Sequence, residues 1–431
     1  MSEAGLLDRR TFLTGLAGLA LSACTAISQE PKTARAAQPP AKPAPDAQLI
    51  ATLKEFLLAR YEIDLANHKN LPADKKPLLK TEVPAAARAS LEERLAAAGI
   101  DRAVIGQLEK YEDAQALEDY FARFDMPFRF GIYNLFNGYE LLRLSEPTQR
   151  KVTLFGKEHE VRVREIIEDV IPHSSLHALK YLTATFVRGG QYHHPSKTIE
   201  LRPNTTSQLA KSLAEGYIEE HAKVEENRLK PGYMDELITR LPQDKEFWHQ
   251  LRKQARLKAH KPLYELGGTS DDFARRVYER MTRDILLHEA MHAVNNSGDY
   301  SFLENSKYRK DLLTIKRWND EMMCYLASMA HGSALGTLGD ILLYLPFGAN
   351  GEPHFIAAVK LIDRMVEYVQ KNRKQYPEID FSRLGVHVLK QFPSLSEEQV
   401  KATAKGVYDT VYRGRSLRDF VYDFLPDEEK K

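Results

Sequence analysis

The sequence predicts a mainly α fold with a small β component, and three observations carry that expectation. Apolar residues recur at helical spacing over most of the chain, beginning with Leu49, Leu53, Phe56, Leu57 and Tyr61. Only residues 151–164 and 189–202 read as strand pairs around a turn. Of the 431 residues, 43% are hydrophobic and 28% charged, which is enough apolar material for a sizeable core. That composition excludes a disordered chain, a collagen-like chain and a multi-span membrane protein.

Residues 1–24 read as an address rather than as part of the fold. Arg9-Arg10 precede an apolar run, Leu16 to Leu21, that is too short to span a bilayer. The paired arginines followed by Phe12-Leu13 resemble the bacterial twin-arginine signal, and Leu21-Ser22-Ala23-Cys24 resembles a lipobox. That resemblance implies export to the cell envelope, with Cys24 acylated and anchoring the mature chain to a membrane. The alternative is a soluble protein cut at a nearby small residue. Residues 25–46 carry Pro31, Pro39, Pro40, Pro43 and Pro45 among Ala, Lys and Gln, and read as an extended tether.

Residues 47–145 read as a helical N-terminal region, continued by Leu91 and Leu95 and by Leu117, Tyr120 and Phe121. From 146 to 431 the chain reads as one further domain. In its first hairpin Val161 and Val163 alternate with arginines, and Gly156-Lys157 supplies the turn. The second hairpin pairs Gly189-Gly190-Gln191-Tyr192 with Thr198-Ile199-Glu200-Leu201. Helix follows to the C-terminus, broken at Lys230-Pro231-Gly232, Leu266-Gly267-Gly268 and Gly348-Ala349-Asn350-Gly351. Lys plus Arg total 61 against 60 Asp plus Glu, so there is no electrostatic case for nucleic acid. Two cysteines, Cys24 and Cys324, exclude a disulfide framework, and Cys324 reads as a small core residue.

His288-Glu289-Ala290-Met291-His292 is the motif that carries chemistry. Helical residues four apart share a face, so two imidazoles at this spacing can reach one Zn²⁺. Glu289, next to the first of them, can point at a zinc-activated water and act as general base. Thr269 and Asp272 offer a capping box, and Phe273, Val277, Met281, Ile285, His288 and His292 then run down one face. Asn295-Asn296-Ser297-Gly298 offers a stop. With 14 histidines in the chain, the pattern arises by chance with a probability of roughly 0.03.

Here the sequence resembles the zincin metallopeptidases, over about residues 185–335. The resemblance implies a zincin-like catalytic domain in 146–431, one zinc per chain, and a peptide or protein substrate. The third ligand is open on spacing alone. Asn295 and Gly298 stand where the metzincin pattern needs Gly and His. Asp299, Glu304 and Glu321 lie seven, twelve and twenty-nine residues past His292. Glu321 is favoured because its helix carries an apolar face of Trp318, Met322, Tyr325 and Met329, so its carboxylate leans toward the core. A Glu on a second helix resembles the gluzincin arrangement. The chain departs from the thermolysin type at Tyr325, where an Asp would orient a histidine.

In the same family, substrate adds as a strand along a sheet edge upstream of the motif helix. Gly189, Gly190, Gln191 and Tyr192 resemble that edge, with glycine leaving room for a ligand's backbone. His193 and His194 read as exposed turn residues. Tyr300, Tyr325, His387, Tyr408 and Tyr412 are all available as transition-state donors. The leading expectation is a lipid-anchored, zinc-dependent metallopeptidase of the bacterial envelope. The alternatives are a non-catalytic envelope lipoprotein serving as a binding or scaffold module on a degenerate zincin fold, and a zinc hydrolase acting on a non-peptide amide.

Overall fold

The computed structural model describes residues 44–66, 82–108, 115–133, 136–169, 189–220, 245–345 and 353–430. The twin-arginine and lipobox readings on Arg9-Arg10 and Cys24, most of the tether, and the breaks at 230–232 and 348–351 lie outside the described residues. No helix among the described residues is long and apolar enough to cross a membrane. The chain is mainly helical with a small sheet, and it divides into two compact units.

The first unit comprises Met1–Glu146, Glu165–Arg188 and Arg202–Thr205. Helices α1 (Ala47–Ala66), α2 (Ala85–Ala97) and α3 (Gln115–Ala122) bury the residues whose spacing marked them, including Leu53, Phe56, Leu91, Leu95, Leu117, Tyr120 and Phe121. The region expected to be helical also carries an antiparallel pair, β1 (Phe128–Tyr133) with β2 (Phe136–Leu144). Phe128 opens β1 opposite Leu141, and both are buried in the same cluster as the helices.

The second unit comprises Pro147–Arg164, Gly189–Leu201 and Thr206–Lys431. Strands β3 (Thr148–Leu154) and β4 (Lys157–Asp169) form the first expected hairpin. Its turn sits at Phe155-Gly156, both with positive φ (48° and 79°), a conformation glycine adopts without steric cost. The Phe155 ring stacks on Tyr408, and its N–H donates to His331 Nε2 at 2.9 Å. The second hairpin is β5 (Gly190–His193) with β6 (Thr198–Leu201). β6 lies next to β4, and β5 ends the sheet as an edge strand.

Helices α4 (Pro203–Glu220), α5 (Lys245–Glu265), α6 (Ser270–Asn295), α7 (Ser301–Asn305), α8 (Arg309–His331), α9 (Ala334–Tyr344), α10 (Pro353–Lys371), α11 (Glu397–Tyr412) and α12 (Leu417–Tyr422) follow. α8 is the axis of this unit. It packs against α6, α9, α10 and α11, and it is buried on all sides from Met322 to Met329. A helix apolar all round belongs inside a bundle, so α8 is wider in its burial than the single stripe of Trp318, Met322, Tyr325 and Met329 implied.

Candidate metal centre

The motif helix α6 begins as its sequence dictates. The Thr269 hydroxyl accepts the Asp272 N–H, and the Asp272 carboxylate accepts the Thr269 N–H, closing the capping box. Gly267 and Gly268 before it take positive φ, and Asn296 ends the helix. The first turns of α6 pack with α4 and α5 through Phe273 and Val277, its later turns lie against α8, and a polar clasp fixes the α6–α8 register. Asp284 Oδ1 accepts the Ser333 N–H at 2.8 Å, and the Ser328 hydroxyl donates to the Asp284 carbonyl at 3.1 Å. A Cβ on Gly332 would fall 2.2 Å from Asp284 Oδ1, so only glycine fits this clasp.

One turn further along, the ring centroids of His288 and His292 lie 4.9 Å apart. Both face Glu321 on α8. Glu321 Oε2 is 3.5 Å from His288 Nε2, 3.6 Å from His292 Nε2 and 3.1 Å from His354 Nδ1. The oxygen is buried, and none of these approaches is aligned as a hydrogen bond. Donors about 2.0–2.2 Å from one tetrahedral centre are separated by about 3.3–3.6 Å, and the distances from Oε2 to His288 and His292 fall in that range while His354 lies closer. Burial opposes the Glu321 charge, yet His354 and then His292 hold its carboxyl well below the usual range. Burial likewise opposes protonation of His292, while Cys324, Asp320 and Glu321 beside it hold its pKa well above the imidazole value. In this arrangement a proton on His292 offsets the buried carboxylate, the role a cation takes when it displaces that proton.

A second carboxylate sits behind His292. Asp320 Oδ1 is 3.1 Å from His292 Nδ1 and also accepts from Asn295 Nδ2 at 2.9 Å. Asp320 Oδ2 accepts from Asn296 Nδ2, whose own Oδ1 accepts from Lys316. Asp320 therefore fixes which ring nitrogen of His292 faces Glu321, the usual task of a carboxylate behind a ligating histidine. The orienting acid that the sequence lacks at 325 is supplied by the residue just before Glu321. Spacing borrowed from another architecture hid it, although adjacent acids on a helix turned toward two histidines were the available signal.

His354 was also missed. It follows Pro353, which opens α10, a position that Pro favours. Its Nδ1 lies 2.9 Å from the Tyr325 hydroxyl, so Tyr325 is the one transition-state candidate that reaches this cluster directly. Tyr300 donates to the Asn295 carbonyl, His387 meets Asp380, Tyr408 stacks on Phe155, and Tyr412 donates to Asn319 Oδ1. Cys324 is buried and free, with donor atoms of His288, His292 and Cys324 all within 4.8 Å of one another. Its Sγ is 3.9 Å from Asp320 Oδ1, which places it toward the Asp320 side of His292, and burial pushes the thiol pKa well up.

Glu289 is 9% exposed and makes no hydrogen bond or ion pair among the described residues. A carboxylate so placed is costly unless it faces water or a ligand. Asp299 is exposed and takes both the N–H and the hydroxyl of Ser301 at the start of α7, and Glu304 is exposed on that helix. Neither joins the histidines. The β5–β6 hairpin packs on α6: Cβ atoms at Gly189 and Gly190 would fall 2.4 Å and 2.6 Å from Ile285 side-chain atoms. Their missing side chains make room for α6 rather than for a ligand's backbone. Gln191 Nε2 donates to the buried Glu200, which Arg164 also grips. Tyr192 and His194 lie close enough to His292 for its charge to act on their pKa values, although burial is the larger cause in both, raising Tyr192 and lowering His194. Compared with known proteins, the chain matches no family model, no curated protein and no solved structure.

Proposed function

We propose that this chain is a zinc-dependent metallopeptidase of zincin type, gluzincin-like in its ligand set, anchored in the bacterial envelope through Cys24. The observation that carries the proposal is the meeting of imidazole nitrogens at 3.1–3.6 Å around Glu321 Oε2, a buried oxygen without a hydrogen-bond partner. His288, His292 and Glu321 would hold the ion. The distances from Glu321 Oε2 to the His288 and His292 nitrogens match tetrahedral edges, whereas burial raises the thiol pKa of Cys324, whose donor atom lies within 4.8 Å of both histidines.

When bound, zinc supplies Lewis-acid activation of a water and of the scissile carbonyl. Glu289 takes the proton from the attacking water on its carboxylate and returns it to the leaving amine. Asp320 keeps His292 in the tautomer and orientation that leave Nε2 free. The β5 edge offers backbone hydrogen bonds to an extended peptide, with Tyr192 beside the site. Glu289, which makes no hydrogen bond or ion pair among the described residues and acts on His194 only through its charge, favours catalysis over the non-catalytic lipoprotein reading, because a purely structural site has no use for a carboxylate beside the ligands.

Metal analysis of the purified full-length protein tests the reading. Wild type should carry one zinc per chain and His288→Ala none. Glu289→Gln should keep zinc while hydrolysis of a fluorogenic peptide library falls by at least about 100-fold, the lower range for a lost general base. Hydrolysis by Glu289→Gln at the wild-type rate sinks the assigned role. Membrane anchoring is tested separately. Cys24→Ser should abolish labelling by a fatty-acid probe, and unchanged labelling removes the lipobox from the proposal.

A further inference from the structure

A catalytic zinc normally has three protein donors and one open position. The cluster here offers a fourth donor. His354 Nδ1 approaches Glu321 Oε2 at 3.1 Å, no farther than the nitrogens of His288 and His292 at 3.5 and 3.6 Å. The same Nδ1 lies 2.9 Å from the Tyr325 hydroxyl. One ring nitrogen carries one lone pair or one proton, so it cannot ligate a cation and accept from Tyr325 at once. The two partners compete for a single atom.

The mount suits such an exchange. α10 is fixed against α8 by Ala357, Ala358, Leu361 and Ile362, all buried, so the backbone under His354 is held. The His354 side chain itself is 35% exposed against 15–17% for Glu321, His288 and His292, so it alone of the four has space to turn. Tyr325 is 5% exposed and sits between two imidazoles, its ring 5.1 Å from His288 and its hydroxyl on His354.

We propose that His354 is a fourth protein ligand that closes the metal site in the resting protein, and that the Tyr325 hydroxyl receives its Nδ1 when the site opens. The proposal rests on the metallopeptidase reading and deepens it: the protein is latched by its own histidine, and a substrate must displace that histidine to reach the metal. Opening breaks one nitrogen–metal bond and makes one O–H···N hydrogen bond to the same nitrogen, with no net proton transfer.

Cobalt(II) titration of the metal-free full-length protein, followed by visible absorption, reads the coordination directly. Wild type should give the intense bands of a four-coordinate site and remain unchanged on adding azide. His354→Ala should bind cobalt(II) at least about 10-fold more weakly, with weaker bands that azide shifts, because water then holds the vacated position. Tyr325→Phe removes the competing hydrogen bond and should bind metal several-fold more tightly than wild type. Identical affinity, spectrum and azide response in wild type and His354→Ala overturns the latch while leaving the three-ligand reading intact. If His354→Ala does not fold, a wild-type spectrum that responds to millimolar azide overturns it alone. A wild type that binds no metal overturns the metallopeptidase reading, and the latch with it.

Discussion

Two sites one helical turn apart on α6 treat buried charge in opposite ways. At Asp284 the partners are a backbone N–H and a guanidinium: Oδ1 accepts the Ser333 N–H, and the Arg280 guanidinium lies 4.0 Å from Oδ2, but burial outweighs both and raises the pKa to about 7. Arg280 in turn donates to the Ala259 carbonyl and meets His260 Nε2 at 3.4 Å, and His260 binds the Arg256 carbonyl through Nδ1. At Glu321 imidazoles crowd one oxygen without bonding it. The first site reads as a clasp that holds α6 against the α8–α9 turn, and the second as a cavity for a positive ion. Burial alone does not separate a functional charge from a structural one. What separates them is the company: Asp284 has a backbone N–H and a guanidinium whose own Nε lacks a hydrogen bond, and burial still raises its pKa, whereas imidazoles hold the Glu321 carboxyl well below the usual range.

The comparison breaks most visibly at Glu321. Glu321→Ala should lower zinc affinity by more than about 100-fold, beyond the 10–100-fold range of an outer-shell partner, and abolish hydrolysis with it. Asp299→Ala and Glu304→Ala should keep both, since their carboxylates face solvent or Ser301. Stoichiometric zinc in Glu321→Ala, with zinc lost in Asp299→Ala, replaces the gluzincin-like reading by a short-linker one.

Asp320→Asn tests the carboxylate behind the ligand rather than the ligand itself. The amide keeps a hydrogen-bond acceptor for Asn295 but removes the charge that orients His292. Zinc affinity should fall by about 10–100-fold with the fold unchanged. An unaltered affinity, measured by competition with a chromophoric chelator, means that Asp320 belongs with Asp284 among the structural charges.

The amphipathic spacing of α1 and α6, the Thr269–Asp272 box and the β3–β4 turn were legible in the sequence because each depends on residues close together in the chain. His288, Glu289 and His292 were legible for the same reason, being one motif on one helix. Glu321 required an argument about which face of α8 is buried, and α8 is buried on nearly every face. His354 and Asp320 were not found. Their meaning comes from α10 and α8 meeting near α6, and no local periodicity encodes which loop brings a histidine back. The glycines at 189 and 190 read as room for a ligand's backbone, whereas the space their Cβ atoms would take is filled by Ile285 of α6, a contact no local pattern encodes.

The smallest expected effect lies at the clasp, and it sharpens the comparison from the other side. Burial raises the Asp284 pKa from 3.8 to about 7, against the opposing pull of the Ser333 N–H and Arg280, while Asp340 and Glu397 add to the rise. The folded protein therefore holds a proton on Asp284 through a range where the unfolded chain has lost it. Since a state that binds more protons is favoured at lower pH, stability falls as pH rises from about 4 to about 7 and is flat in this respect beyond it. Asp284→Asn keeps an Oδ1 to accept the Ser333 N–H but has no charge to desolvate. The loss of stability between pH 5 and pH 8 should be smaller in Asp284→Asn than in wild type by about 1–2 kcal/mol, less than the full shift implies because Arg280 relaxes toward the ionised form. Urea denaturation of both metal-free proteins at the two pH values measures the difference, and zinc affinity, which should be the same in the two proteins at either pH, serves as the control. An equal fall in both proteins makes Asp284 an ordinary ionised partner of Arg280, and the contrast between the two sites on α6 then rests on the metal site alone.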